Sequence, residues 1–353
     1  MANKRIAVLG LGHIGSLVAA ELKKYEQRGT GLLNPDVTVQ TLQYDLTTGY
    51  DFSDQSVIEK CLDTADAVIA TTPYMFNEAI AREAARRNIA YFDVTEDVHT
   101  TDIIKELDNT SPMIPQCGLA PGMVSILANK MASTFDTVEK IEVRVGAIPQ
   151  TPNNHMRYNF TWSTIGLINE YCNECEEAVD GKLVRSPALE KEERIVLSGM
   201  ELEAATTSGG IGTLAKSWVS KAKNVNYKTL RYPGHFQYMR FLRDDLGMKD
   251  NKHSFEEIFN NSIPRIENDL VVIIIFVTGL RDGKLVQESY DKLILPLNNY
   301  TAIQLATACG LLSVVDVWLT DQINTKGFTT QEEINFDIVS KSKYSKVYIS
   351  TQS

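Results

Sequence analysis

Cysteine, tryptophan and histidine are scarce in this 353-residue chain, at five, three and five residues. The cysteines (Cys61, Cys117, Cys172, Cys175 and Cys309) are odd in number and scattered. That excludes a disulfide scaffold and fits a reduced, cytoplasmic compartment. No run of Lys or Arg exceeds two residues, and 45 acidic against 35 basic side chains leave a net charge of −10. The footprint for a phosphate backbone is missing, so no nucleic-acid partner is expected. The longest apolar run, residues 270–280, is about half of the roughly 20 residues that a membrane span needs. It reads as a buried strand, and no membrane partner is expected. No signal-peptide layout precedes the first apolar run. Repeats, low-complexity tracts and Gly/Ser/Pro linkers are also missing. Cys172-Asn-Glu-Cys175 has a ligand-like spacing, but it falls in a predicted helix with no second pair and no nearby His. No metal site is expected.

What remains is ordinary globular composition, 43% apolar and 23% charged, in a length that suits two domains at about 150 residues each. The first 120 residues alternate short apolar runs (5–9, 37–44, 67–70, 90–93 and 113–117) with helical spacing at 14–25, 57–62 and 76–87. That is the pattern of βα units around a parallel sheet. Further on, residues 141–148 and 159–162 read as strands and 163–179 as a helix. Residues 270–280 and 284–293 read as long strands joined by Arg281-Asp282-Gly283, whose Asp-Gly supplies the positive φ angles of a tight hairpin. Ser254-Phe-Glu-Glu257 has capping-box spacing. Residues 301–318 read as a long apolar helix. The expected class is α/β: a doubly wound parallel sheet of Rossmann type over 1–122, then an α/β substrate domain with an antiparallel or mixed sheet over 123–298. In 299–353, a helix packs back on the first domain and a tail follows.

Gly10-Leu11-Gly12-His13-Ile14-Gly15 follows the first strand and opens the first helix. Gly10 allows the tight turn, Gly12 lets a pyrophosphate approach the backbone, and Gly15 seats the helix on the strand. The helix N-terminus adds free N–H groups and positive dipole. The cofactor expected is NAD, with NADP possible. The acid that would accept from the ribose is missing near position 32, at the usual distance of about 20 residues. Asp45, at the tip of the second strand, can take that part or be a turn residue.

Four later stretches look chemical: Cys117-Gly-Leu-Ala-Pro-Gly122, Thr161-Trp-Ser163, Glu203-Ala-Ala-Thr-Thr-Ser-Gly-Gly210 and Thr229-Leu-Arg-Tyr-Pro-Gly-His235. With the N-terminal Gly-Leu-Gly-His-Ile-Gly and the Val145-Gly-Ala-Ile-Pro149…Phe160-Thr-Trp-Ser163 pair, they resemble the saccharopine dehydrogenase family in order and spacing. The likeness is greatest to its shorter members, the L-lysine 6-dehydrogenases, and spans residues 1 to about 320. The resemblance implies an NAD(P)-dependent oxidoreductase acting at a carbon–nitrogen bond of an amino acid. It places Thr71, Thr72 and Pro73 along the cofactor, beside His13 and Ile14 of the loop (His13 being otherwise a solvated side chain), and Asp93 and Thr95 beside the nicotinamide. With it, Asp93, Cys117 and His235 are the catalytic candidates. It puts Cys117 and Gly118 at the floor of the site, Trp162 and Ser163 facing substrate, and Thr229 and Arg231 in the substrate-domain block. It also points to a homodimer. The Ser208-Gly209-Gly210 turn departs from the family pattern and leaves the substrate open.

An α-amino acid needs a cation for its carboxylate, and Arg231 can clamp one with two parallel hydrogen bonds. Asp93 or Glu96 can meet its ammonium, and His235 can act as acid or base. The plain alternatives are a surface ion pair for Arg231, a turn or cap for Asp93, core for Trp162 and a helix cap for His235. The reading is oxidative deamination of L-lysine or a close diamino acid at its ε-carbon. The first alternative is reductive condensation of a semialdehyde with an amine, as in saccharopine or carboxynorspermidine formation. The second is a non-catalytic dinucleotide sensor.

Overall fold

The computed structural model describes residues 2–26, 33–323 and 325–349. The chain divides into two compact units, Met1–Ile126 with Ala306–Ser353, and Leu127–Leu305.

The first unit is wound around β1 (Ala2–Leu9), α1 (His13–Lys23), β2 (Val37–Tyr44), α2 (Gln55–Leu62), β3 (Ala67–Ala70), α3 (Asn77–Arg87), β4 (Ala90–Asp93), α4 (Val98–Lys105) and β5 (Pro112–Ile114). α5 (Met123–Ala132) leads out of it. Five parallel strands lie in the order β2-β1-β3-β4-β5. Ile6, Ala7, Val8 and Leu9 are fully buried, as a continuous apolar run covered on both faces must be. On one face Ala7, Leu9, Val68 and Tyr91 pack with Ile58 and Cys61 of α2 and Ile80 and Ala84 of α3. On the other, Phe92 meets Trp318 edge-on at 5.6 Å. Helices therefore cover both faces, and the sheet is doubly wound.

β5 stops at Ile114, short of the expected 117. Pro115 has no N–H for the ladder, and Gln116 turns into the left-handed region at φ 63°. A sixth strand, β14 (Gly327–Phe328), pairs in parallel with Pro112 and Met113, in a segment that reads as a tail from sequence.

The second unit holds β6 (Thr137–Pro149), α6 (Thr164–Cys172), β7 (Cys175–Val179), β8 (Lys182–Ser186), β9 (Glu193–Leu197), β10 (Met200–Thr206), α7 (Leu214–Trp218) and β11 (Ala222–Arg231). α8 (His235–Arg240), α9 (Lys252–Ser262), β12 (Asp269–Arg281) and β13 (Lys284–Ile294) follow, and α10 (Ala302–Trp318) starts there. The sheet order is β13-β12-β6-β11-β10-β9, with β7 and β8 added beside β11. β6 and β11 run parallel and the other neighbours antiparallel, so the sheet is mixed. The hairpin β12–β13 turns on Asp282 (φ 52°) and Gly283 (φ 71°).

Several elements of the second unit also differ from the sequence reading. The helix expected over 163–179 ends at Cys172, because Asn173 is extended and its side chain is held by Lys252 Nζ at 3.0 Å; β7 begins two residues later. Cys172 and Cys175 thus sit on different elements, and all five cysteines are free. Residues 159–162 form only a bridge from Phe160 to Arg265. α9 is capped by Asn251, which accepts from the Ser254 N–H, rather than by Ser254. Among the described residues no helix is long and apolar enough to cross a membrane.

The start of α10 is fixed from a distance. Asp269, fully buried at the start of β12, accepts from Ala302 N–H at 2.6 Å and Ile303 N–H at 3.0 Å. Asp269→Ala leaves both donors buried and unpaired. We expect a loss of about 2 kcal/mol of unfolding free energy, with a smaller loss in Asp269→Asn, which keeps one acceptor. Urea denaturation of the three proteins measures both.

Candidate functional site

In a sheet of this order, ligands bind at the carboxyl ends of the strands where the chain reverses direction across the sheet, here between β1 and β3. The glycine loop and Thr71 meet at that place. Thr71 donates its N–H to Leu9 O at 2.9 Å and its hydroxyl to Gly10 O at 2.7 Å. Gly10 sits at φ +89°, and a Cβ there would lie 2.8 Å from Thr71 O. A Cβ on Gly15 would lie 1.8 Å from Gly10 O, so α1 reaches β1 only through glycine. Gly12 is different: it is exposed, and nothing lies within 4 Å of where its Cβ would be. Two glycines close the loop against the protein and the third leaves an open cradle at the helix N-terminus, where His13 and Ile14 begin α1. The residues present therefore fit the pyrophosphate of a dinucleotide.

Asp45 does two jobs at the end of β2. One oxygen accepts from Thr47 N–H (2.9 Å) and hydroxyl (2.7 Å), and the other from Leu11 N–H (2.7 Å) in the glycine loop. The Thr47 hydroxyl, with the Leu11 and Thr47 amides, holds its carboxyl below the usual range. Position 32 lies outside the described residues.

Thr72 donates to Asn77 Oδ1 at 2.9 Å, and Pro73 begins the short turn that leads into α3. Asn77 in turn reaches Asp93 at 3.5 Å. Asp93 is fully buried, and its carboxylate also accepts from Tyr91 Oη (2.7 Å), Thr95 N–H (3.0 Å) and Gln116 N–H (2.8 Å). Burial pushes it up to about 6 against these donors. Four protein donors make this carboxylate a junction that ties the ends of β4 and β5 together. The Cys117 thiol is buried and donates to Ile114 O at 3.0 Å; burial raises its pKa far above the thiol range. Gly118 closes on Gly122, where a Cβ would lie 2.1 Å from the Gly118 oxygen.

The second unit brings together residues that lie far apart in sequence. Arg231, at the end of β11, is 2% exposed. Its Nε donates to Tyr171 Oη at 2.8 Å, Nη1 to Leu230 O at 2.9 Å and Nη2 to Glu170 Oε2 at 3.5 Å. Its guanidinium carbon lies 5.1 Å from the centre of the Tyr158 ring. Tyr171 Oη and His235 Nε2 are 3.0 Å apart, and His235 Nδ1 is 2.9 Å from Met156 O. A carbonyl only accepts, so Nδ1 carries the proton, Nε2 accepts from Tyr171, and the chain runs from Arg231 through Tyr171 to His235. Burial first, then Arg231, holds His235 down at about 3, so its ring is neutral. Thr229 joins Thr207 at 2.7 Å and donates to Glu170, whose carboxyl burial raises. Ser163 caps α6 by accepting from Gly166 N–H at 3.2 Å, and Trp162 is half-buried against the core beneath α6 and α9.

Sequence reading missed Tyr158, Glu170 and Tyr171, and took Glu203 as the head of a polar turn. Glu203 lies on β10 rather than in a turn, and accepts from Gly234 and Phe236 N–H, both at 2.8 Å, to cap α8. A buried acid at a strand's inward position was the available signal for Glu203. Nothing in the spacing marks the tyrosines as partners of Arg231. Among the described residues no group of His, Cys, Asp and Glu could hold a metal ion.

Residues 118–342 match the saccharopine dehydrogenase C-terminal domain. The mitochondrial alpha-aminoadipic semialdehyde synthase of Rattus norvegicus is 25% identical over 204 residues, 52% of this chain and 21% of that one. Saccharopine dehydrogenase (NADP(+), L-glutamate-forming) of Saccharomyces cerevisiae is 25% identical over 231 residues, 60% of this chain and 50% of that one. The chain thus spans between a fifth and a half of the length of these relatives. Apo saccharopine dehydrogenase (L-Glu forming) from S. cerevisiae has a similar fold, with a TM-score of 0.73, 16% identity and 97% of both chains covered. The homospermidine synthase of Legionella pneumophila in complex with NAD gives 0.66 at 13% identity, over 99% of this chain and 90% of that one.

Neutral His235 makes stability depend on pH. With a folded value near 3 against an ordinary 6.5, its contribution is complete above pH 6.5 and is lost as pH falls toward 3. His235→Asn keeps a donor for Met156 O and cannot titrate. The stability advantage of the parent over this variant should be constant above pH 7 and shrink between pH 6.5 and 3. Urea denaturation across that range checks it; a constant difference would mean that the histidine is not held neutral.

Proposed function

The chain belongs to the saccharopine dehydrogenase family, and from that premise we propose an NAD(P)-dependent oxidoreductase acting at the CH–NH bond of an amino acid. In finer terms we propose oxidative deamination of L-lysine or a close diamino acid at the ε-carbon. The observation that carries the reading is the open cradle over Gly12, built where open α/β sheets take nucleotides. Gly10–Gly15 would hold the pyrophosphate, and Asp45 would accept from a ribose hydroxyl at the free lone pair of the oxygen that takes Leu11 N–H. A hydride acceptor is the chemistry that a bound dinucleotide would supply here. The substrate CH–NH2 then becomes CH=NH2⁺, and water releases an aldehyde and ammonium.

The residues of this chain bind and orient. Three of the five guanidinium N–H groups of Arg231 are taken by Tyr171, Leu230 and Glu170, which leaves two for a carboxylate. Tyr171 and neutral His235 keep that plane fixed, and Trp162 and Ser163 would flank the substrate. Asp93, Thr72 and Cys117 are assigned positioning roles at the strand ends, since their polar groups are already engaged. Assembly as a homodimer through the second unit's sheet belongs to the same proposal. A second reading, turnover of saccharopine itself, is favoured by the names of the curated relatives. Assaying lysine, ornithine, saccharopine and polyamines with NAD and NADP at the nicotinamide absorbance separates them. Tight dinucleotide binding without turnover of any would leave the sensor reading.

Gly12→Val should abolish dinucleotide binding by calorimetry and shift the melting temperature little, because the added atoms meet only open space. Gly15→Ala should instead destabilise the fold. Unchanged affinity in Gly12→Val would remove the cradle from the site. Arg231→Lys cannot supply two parallel donors, so kcat/KM for the amino acid should fall roughly tenfold to a hundredfold, about 1.5–3 kcal/mol. Dinucleotide affinity should stay within about twofold, and parental kinetics would refute the clamp.

A further inference from the structure

The matched family domain reaches residue 342, yet its last residues fold with the first unit. Three residues past β14, Gln331 enters the turn that follows β5. It is 1% exposed. Its Nε2 donates to Pro115 O at 2.8 Å and to Cys117 Sγ at 3.4 Å, while Oε1 has no partner. Only the amide nitrogen can serve a carbonyl oxygen, so this contact fixes the orientation of the side chain.

The turn it holds is strained. Gln116 keeps φ at 63°, which a residue with a Cβ adopts only where its surroundings enforce it. Gln116 N–H and Cys117 N–H are both given to Asp93, each at 2.8 Å, the first to the carboxylate and the second to the carbonyl. α10 presses from another side: a Cβ on Gly310 would lie 2.3 Å from Gly118 O. Beyond Asp93 the hydrogen bonds continue to Asn77 and Thr72. One connected series therefore runs from Gln331 through the turn at 115–117 to Asp93, Asn77 and Thr72, along the carboxyl ends of β5, β4 and β3.

We propose that Gln331 is a positioning residue for the reaction, holding the 115–118 turn in the shape that turnover needs. The C-terminal segment is then a working part of the nucleotide unit. This rests on the dehydrogenase reading, and the test separates the two. Gln331→Met keeps the volume and removes both donors. Gln331→Glu can donate to Pro115 O only when protonated.

Hydrogen exchange on the unliganded full chain should show the Gln116 and Cys117 amides exchanging at least tenfold faster in Gln331→Met, with β1 and β3 unchanged. In steady state kcat should fall at least tenfold, with KM for the dinucleotide within twofold. Gln331→Glu should regain kcat relative to the parent as pH is lowered, following a single protonation. Unchanged exchange at 116–117 overturns the proposal, and so does faster exchange with parental kcat. A parent inactive on every amino acid overturns the dehydrogenase reading, and the exchange result then decides by itself whether Gln331 holds the turn.

Discussion

Gly15 touches Gly10 so closely that no other residue can stand there, and the first unit is organised around that contact. The carbonyl of Gly10, bonded by the Thr71 hydroxyl, fixes the end of β3 to the end of β1. The same contact seats α1 with its N-terminus facing outward, at the point where the strand order reverses. Asp45 closes the arrangement from β2 through the Leu11 N–H. Gly10 N–H is given to Tyr44 O and Leu11 N–H to Asp45, and the space over Gly12 is left open. The open space over Gly12 is thus the remainder of a packing problem solved by small residues.

The second unit solves a different problem, a cation buried almost completely. A guanidinium removed from water needs acceptors for its N–H groups, and three of the five here have one. Glu170 supplies charge, Leu230 a carbonyl, and Tyr171 and Tyr158 a hydroxyl and an aromatic face. The carboxylate is held in turn by Thr207 and Thr229, and the Tyr171 hydroxyl by neutral His235. Arg231 is neither a surface ion pair nor a loose clamp. Its orientation is set by Glu170 and Tyr171 of α6, by Leu230 of β11 and by the Tyr158 ring.

Asp93 and His235 illustrate how burial redirects chemistry. Both are natural candidates for acid–base work by residue type and position. Both have every polar atom engaged by protein groups, and burial shifts their protonation toward the neutral form. Both side chains are held in place by protein groups on every polar atom.

The sequence by itself determined what depends on local rules. Residues 6–9 of β1 and Ala67–Ala70 of β3 are continuous apolar runs, the glycine loop has a fixed spacing, and Asp282-Gly283 joins two strands in a hairpin. It also determined the family, because ordered short motifs survive where overall identity does not. It stopped where a residue's role depends on a partner distant along the chain. Tyr171 and Arg231, Asp269 and Ala302, and Gln331 and Pro115 are each brought together by the fold, and neither member of a pair carries a local sign of the other. The C-terminal strand of two residues is too short for any periodicity. β7 was hidden inside a helical pattern, because Ala178 and Val179 continue the apolar spacing of α6 by chance. Only the tertiary structure decides which buried polar groups pair, since a polar group removed from water must find its partner wherever the chain happens to pass.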